Sequence, residues 1–341
     1  MSTFFHAQLD KVHQALVLLL TPGTIFSLPE VAVSLVLAVG FLMYRHRRRR
    51  GAVRFALVAR ALRRSRRILF NRSTRADVFY YFVNTFSIGG LIGWGILSGM
   101  GVSGWVVRGL HAEFGAAAPS TAPAWALRAG LTLVVFLAYE FGYYVDHYMK
   151  HKIPALFELH KTHHSAEVLT PLTVFRVHPI DTLIFVDIIA LTTGVAYGVF
   201  TYVAGRGVDM YAIFGQNVLF VVFLFGLAQL QHSQFWIPLC GAPGRLILSP
   251  AHHQIHHSVD PAHYNRNLGS CLAIWDWMFG TLCVPPKESP GLKFGVTQTG
   301  DDPHRVFTLL VTPVASMLRA LTPRSSLPAA AATPAAERTG R

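Results

Sequence analysis

Nine histidines in this chain fall into a pattern that can do chemistry. His147 and His151 form an HxxxH pair, His160, His163 and His164 an HxxHH triplet, and His253, His256 and His257 a second HxxHH, with His232 standing alone between the triplets. On a helix, four-residue spacing puts two imidazoles on one face with their Cβ atoms about 5–6 Å apart. Neutral imidazole binds iron, zinc, copper and nickel, and eight or nine rings exceed the roughly four to six positions around one ion, so two metals are implied. A lone histidine at a helix end is ordinarily decoration, which is the reading for His6, His13, His46, His111 and His304. Repeated clusters are not, because packed histidines repel one another once protonated. The three cysteines, Cys240, Cys271 and Cys283, have no CxxC spacing, so no zinc ribbon, rubredoxin-type iron site or disulfide framework is supported. Carboxylates are too sparse for a carboxylate-bridged di-iron bundle.

The elements that must hold these residues are helices in a membrane. With 52% hydrophobic and 14% charged residues and a mean hydropathy of +0.39, the chain falls outside the soluble globular range. Five apolar stretches are candidates to cross or enter a bilayer, which takes about 20 helical residues: Leu28 to Tyr44, Val78 to Val107 (glycine-rich, as one tilted helix or two half-spans), Trp125 to Tyr148, Thr182 to Val203, and Tyr211 to Leu230. The HxxxH closes the third stretch. Pro154 ends that helix and opens the next, which carries the first HxxHH. Ser249 suits an N-cap and Pro250 the first helical position, so the second HxxHH opens a further helix.

The formal charge of +13 is local, because thirteen arginines lie between Arg45 and Arg75 with no Asp or Glu among them. Such a block after an apolar span marks a cytoplasmic loop that attracts anionic lipid, and no nucleic-acid partner is expected. With that loop inside, Asp146 to Pro179, His232 and everything after Pro238 share the cytoplasmic side, so all twelve histidines from His147 to His263 face it. The expected fold class is an all-α integral membrane protein with about five membrane-spanning or embedded helices and a cytoplasmic helical cap carrying a di-metal histidine site. Residues 1–27 are read as an interfacial segment, 28–135 as spans with the Arg-rich loop 45–75, 136–284 as the catalytic domain, and 285–341 as a C-terminal segment whose last thirty residues form a disordered tail.

In order and spacing these motifs resemble the fatty acid hydroxylase/sterol desaturase superfamily, over roughly Phe136 to Val284. The resemblance takes in Leu159-His160-Lys161-Thr162-His163-His164-Ser165, Arg176-Val177-His178-Pro179, Gln231-His232-Ser233, Asn267-Leu268-Gly269, Trp275-Asp276 and Phe279-Gly280-Thr281. It departs from the family at Asn265, often Asp, and at Gln234, often Asn. The resemblance implies a non-haem di-iron oxidoreductase that uses O₂ on a lipid, with His147, His151, His160, His163, His164, His253, His256 and His257 as metal ligands and His232 as a ninth. Iron is the expected metal, with zinc as a substitute acquired in purification. Insertion of oxygen gives a hydroxylated lipid; removal of a second hydrogen instead gives a desaturase. No nucleotide fingerprint, HPGG-type haem segment or CxxC pair is present, so electrons must come from a ferredoxin- or cytochrome-type protein fed by NAD(P)H.

His178 and His263 are expected beside the site and His252, about 100° round the helix from His253, outside it. Glu140, Asp146, Glu158, Asp181, Asp260 and Asp276 are candidates to accept the outer N–H of ligating histidines; a cap is the competing reading for Asp181. Two other classes are weighed. A metal transporter binds its ions near the bilayer midplane, whereas these clusters fall at helix ends; a zinc hydrolase needs one site of three ligands, which nine histidines overshoot. A multi-pass location follows, in the inner membrane of a bacterium or the endoplasmic reticulum of a eukaryote.

Overall fold

The HxxxH sits at the end of the longest helix, and that helix organises the rest. In this computed structural model, residues 28–50, 70–91, 96–296 and 304–322 are described, with the single positions 17, 20 and 68. The helices are α1 Leu28–Arg50, α2 Arg72–Leu91, α3 Gly99–Phe114, α4 Ala124–Lys152, α5 Pro154–His164 and α6 Pro179–Ala204. A hairpin of two short strands, β1 Ala212–Ile213 and β2 Gln216–Asn217, leads into α7, which starts at Val218–Phe223, widens into a π turn at Leu224–Ala228 and closes at Gln229–Gln231. Then come α8 Gly241–Leu246, α9 Pro250–His256, α10 Ile274–Met278 and α11 Val306–Leu321.

Among the described residues two helices, α4 and α6, are long and apolar enough to cross a membrane. They pack against each other, and α3 packs along α6. The approach of α3 to α6 depends on Gly194 and Gly198: a Cβ at Gly194 would lie 2.6 Å from the Gly99 carbonyl oxygen, and one at Gly198 would lie 2.8 Å from that of Ser103. Glycines four residues apart let two backbones meet in this way.

The stretch from Val78 to Val107 is divided between α2 and α3, and the apolar helix in the stretch ending at Leu230 is the shorter run Val218–Gln231, preceded by the hairpin. The helix starting at Leu28 continues past Tyr44 to Arg50. The N-terminal interfacial segment, but for Val17 and Leu20, and residues 51–67 of the arginine loop lie outside the described residues. Residues 312–321, the first ten of the expected tail, belong to α11, which packs on α5; the remainder beyond 322 lies outside the described residues. The signal for this helix was its spacing of apolar residues, which an alanine- and proline-rich neighbourhood masks.

The glycine contacts set an expectation for stability. Gly198→Val drives a side chain into the Ser103 backbone and Val106, and overpacking of this kind costs about 1–3 kcal/mol. Thermal unfolding in detergent should show a lowered midpoint, whereas a valine at Gly109, which has open space around it, should leave the midpoint in place.

Candidate metal centre

Pro154 does what the sequence requires of it: α4 ends at Lys152, Ile153 is extended, and α5 begins with the proline at its first position. The break folds α5 back so that His160, His163 and His164 face His147 and His151. Ser249 caps α9 and Pro250 opens it, which brings His253, His256 and His257 to the same place. His232 arrives from the end of α7, one short turn after the π turn. A π turn carries one more residue than an α turn and recurs at functional sites; without it His232 would point about 100° away.

All nine rings converge, in two sets. His147, His151, His160, His164 and His256 form one, and His163, His232, His253 and His257 the other; within each, one nitrogen per ring lies within 4.8 Å of all the others. The sets adjoin: the His164 and His257 rings are 4.7 Å apart and His163 and His164 5.7 Å. Eight of the nine are buried and His151 is partly so.

Hydrogen bonds fix which nitrogen faces inward. His147 donates from Nδ1 to the Leu268 carbonyl at 2.8 Å, His256 from Nδ1 to the Arg266 carbonyl at 2.9 Å, and His160 from Nδ1 to the Asp181 carboxylate at 3.0 Å. A neutral ring that donates from Nδ1 keeps a lone pair on Nε2, and such outer bonds are the usual support of metal-binding histidines. The Nε2 atoms of His151, His164 and His256 are buried without a hydrogen-bond partner. In the second set, Nε2 atoms face one another at 3.1 Å (His163–His232), 2.8 Å (His232–His253) and 3.1 Å (His253–His257). A buried nitrogen left unpaired costs about 1–3 kcal/mol, and lone pairs crowded in this way are the arrangement that two cations relieve. The donor sets fit two imidazole-binding metal ions.

The carbonyls that orient His147 and His256 are themselves held. Asn265 and Asn267, at φ 57° and 55°, take the left-handed conformation that asparagine tolerates and turn the chain so that the Arg266 and Leu268 carbonyls reach the rings. Asp276 accepts the Leu268 and Gly269 N–H groups at 2.7 and 2.8 Å and the Thr281 hydroxyl at 2.6 Å. Glu140 accepts the Cys271 and Leu272 N–H groups at 2.9 and 2.7 Å. Of the six candidate acids, Asp181 alone bonds a clustered histidine directly. It is clamped by Lys150, which also pairs with Asp146 at 2.6 Å. Glu158 pairs with Lys161 and Asp260 caps the turn at Ala262.

Three further histidines stay outside both sets. His178 caps α6 by accepting from the Ile180 N–H and donates to the Leu310 carbonyl. His252 accepts from the Ser249 N–H and donates to the Gly244 carbonyl; His263 lies in the turn Pro261–His263. Sequence reasoning missed Lys150 as the clamp on Asp181. It also missed Arg176, wholly buried, which donates to Asp77, the Thr162 carbonyl and the Ser165 hydroxyl. The signal for Lys150 was present: a lysine four residues after Asp146 at the end of an apolar helix is a ready ion pair.

A cavity of about 320 Å³ runs to the centre between α4, α6 and α7. Tyr139, Tyr143, Phe175, Phe185, Phe220 and Leu224 supply aromatic and aliphatic wall, and His147, His160, His163 and His232 close its inner end. It therefore touches both histidine sets. Electrostatically the centre is kept neutral: burial pushes the His256 imidazole down to about 4 and His232 to about 3. Burial, followed by the neighbouring imidazoles, holds His160, His163, His164, His253 and His257 well below the ordinary histidine range.

Comparison with known proteins finds similar sequences. The fatty acid hydroxylase family profile matches residues 132–281. An ornithine lipid hydroxylase, OlsE of Rhizobium tropici, is 31% identical over 166 residues, 48% of this chain and 45% of that protein. Alkylglycerol monooxygenase of Xenopus tropicalis is 29% identical over 170 residues, 48% of this chain and 32% of its own length. A putative Delta(7)-sterol-C5(6)-desaturase 2 of Arabidopsis thaliana is 28% identical over 160 residues, 45% of this chain and 48% of its own. The chain spans less than half the length of each of these relatives. No solved structure matches the chain.

Two expectations follow from the site's bonding. Asp181→Asn keeps the shape but removes the carboxylate that His160 and Lys150 share, and should weaken metal retention about 10- to 100-fold, read as metal remaining after dialysis against a graded chelator. The second concerns pH. These histidines are neutral in the fold and titrate near about 6.5 when unfolded, so below that pH the unfolded chain takes up protons that the folded chain refuses. The histidines' contribution to the stability of the metal-free protein is therefore full above about pH 6.5 and falls as pH drops toward about 4, where burial has placed His252 and His256. Melting curves across that interval should show a falling midpoint.

Proposed function

We propose, for a chain whose residues 132–281 match the fatty acid hydroxylase family profile, a membrane lipid hydroxylase that uses O₂ and whose nine clustered histidines hold two iron ions. The observation that carries this reading is the apolar cavity that ends on histidines of both sets. A hydrocarbon chain is what aromatic and aliphatic walls accept, and a C–H bond at its inner end lies against both sets of nitrogens. The relatives named for an ornithine lipid and an alkylglycerol support a lipid substrate.

The residues divide the work. His147, His151, His160, His164 and His256 hold one iron, and His163, His232, His253 and His257 the other; bound iron supplies the activation of O₂. Lys150 and Asp181 keep His160 in the tautomer that leaves Nε2 free. Tyr139, Tyr143, Phe185 and Phe220 exclude water and align the substrate. One oxygen atom enters the C–H bond and the other leaves as water, drawing two electrons and two protons from outside. Those electrons come from a ferredoxin- or cytochrome-type partner with NAD(P)H upstream, since the sequence carries no nucleotide fingerprint, HPGG-type haem segment or CxxC pair. Hydroxylation is the outcome assigned, in keeping with the hydroxylase and the monooxygenase among the relatives; desaturation by the same site is the alternative, in keeping with the sterol desaturase.

The reading includes a multi-pass arrangement in which α4 and α6 span the bilayer, α1, α2 with α3, and α7 embed beside them, and the histidines face the cytoplasm on the side of the arginine block. Metal content and O₂ uptake of detergent-purified protein test the function. Wild type should carry about two irons per chain after anaerobic reconstitution, and His163→Ala and His256→Ala should each lose metal together with O₂ consumption. A wild type that takes up no stoichiometric metal would overturn the reading.

A further inference from the structure

The segment that supports His147 also carries an apolar face left exposed among the described residues, and its level along α4 identifies what covers it. Residues 271–281 run beside α4. Glu140 bonds the N–H groups of Cys271 and Leu272, the Trp275 ring lies 5.0 Å from that of Phe141, Phe279 stacks on Tyr144 at 5.2 Å, and the Tyr144 and Thr281 hydroxyls meet at 3.1 Å. Between Arg128 and Asp146, α4 has seventeen residues without a basic group, Glu140 being its single acid and fully buried. At 1.5 Å per residue this run is about 25 Å long, close to the hydrocarbon thickness. Phe141 lies four residues, or about 6 Å, inside its histidine-side end. The segment packed at Phe141 and Tyr144 is therefore below the plane where the span leaves lipid.

Ile274, Trp277, Met278 and Phe279 of this segment, with Leu246 from the neighbouring α8, are exposed by 40%, 66%, 57%, 54% and 66%. The face they make continues the exposed side of α4 at Phe141 and Tyr148. Its one acid, Asp276, is wholly buried, while Arg245 and Lys152 are exposed beside it. Apolar and aromatic residues at the edge of a spanning helix, with basic residues above, are the composition of a segment lying about 5–10 Å into the boundary between headgroups and acyl chains.

From this placement we infer that α10 and the α8 tip form a wedge inserted into the bilayer leaflet on the histidine side, with Trp277 and Met278 in the acyl-chain boundary. The occupant of the face is lipid. The inference rests on the reading of α4 as a span, and goes beyond it by bringing part of the cap into the membrane. Asp276, on the same short helix, holds the Leu268 segment whose carbonyl bonds His147; the wedge is thus two hydrogen bonds from the metal centre.

Depth-dependent quenching tests it. The full chain is reconstituted in phosphatidylcholine vesicles, plain or brominated at carbons 6 and 7 or at carbons 11 and 12 of the acyl chain. The emission lost in Trp277→Phe reports Trp277, and that lost in Trp125→Phe reports the far end of α4. At least a twofold quenching of the Trp277 component by the shallow bromines, and less by the deep ones, is expected; Met278→Trp added to Trp277→Phe should restore a quenched component. If the Trp125 component is quenched and that of Trp277 is not, the wedge is overturned while the span stands, and the oligomeric state in the vesicles then tells whether a second copy or water covers the face. If neither is quenched, wedge and span both fall.

Discussion

Nine imidazoles packed ring against ring away from water must all stay uncharged, and each must turn the same nitrogen inward; the surrounding structure answers to that constraint. A single protonated ring among eight neighbours would be costly, and a ring flipped about its axis would point a hydrogen at the centre. Outer acceptors prevent the flip. The Leu268 and Arg266 carbonyls and the Asp181 carboxylate each take an Nδ1–H, so three of the five rings in the larger set are fixed by partners from two separate segments. Those partners are fixed in turn by Asp276, by the two left-handed asparagines and by Lys150. The ordering thus runs outward from the nitrogens through two further layers of hydrogen bonds.

A second buried charge ties this centre to the outer helices. Arg176 reaches the Ser73 carbonyl and Asp77 on α2, the Thr162 carbonyl and Ser165 at the end of α5, and the His304 ring at 3.1 Å. Asp77 also accepts the hydroxyls of Thr170 and Thr173. Breaking a buried ion pair by removing one partner costs far more than its net contribution, so this cluster holds α2 and the segment before α11 against the helix that carries the first HxxHH. The result is a centre enclosed from the N-terminal side by residues that ligate nothing.

Much of this was readable from the residues in order. Spacing alone put His147 with His151, and His160, His163 and His164 on one helix face, because i, i+3 and i+4 leave little choice; Pro154 and Pro250 marked the helix starts because proline suits the first turn. Composition made the chain helical and apolar. What spacing does not encode is how separate elements meet. Five rings gather in one set and four in the other because of the angle at Ile153, where Pro154 signals a break but not its direction, and the extra residue of the π turn, which has no sequence signature of its own. Backbone acceptors were equally hidden, since any residue can supply a carbonyl: four of the six candidate acids turned out to hold loops, caps or a half-buried lysine, Asp146 pairs with Lys150, and the rings lean on Leu268 and Arg266 instead. The tail reading failed to see α11, whose Tyr80 and His178 partners lie far away in the chain.

The division of the histidines along the chain has a consequence for biosynthesis. Each set takes rings from both sides of α6: the larger draws on α4, α5 and α9, and the smaller on α5, the end of α7 and α9. A nascent chain that has released α4 and α5 has five of the nine imidazoles but neither complete set, and it acquires them only once α6, α7 and His257 have left the ribosome. A metal could therefore fill either set only after α9 has been made. A chain that stalls or is cut short before His256 completes neither set, so metal uptake would report that α4, α5, α7 and α9 have come together.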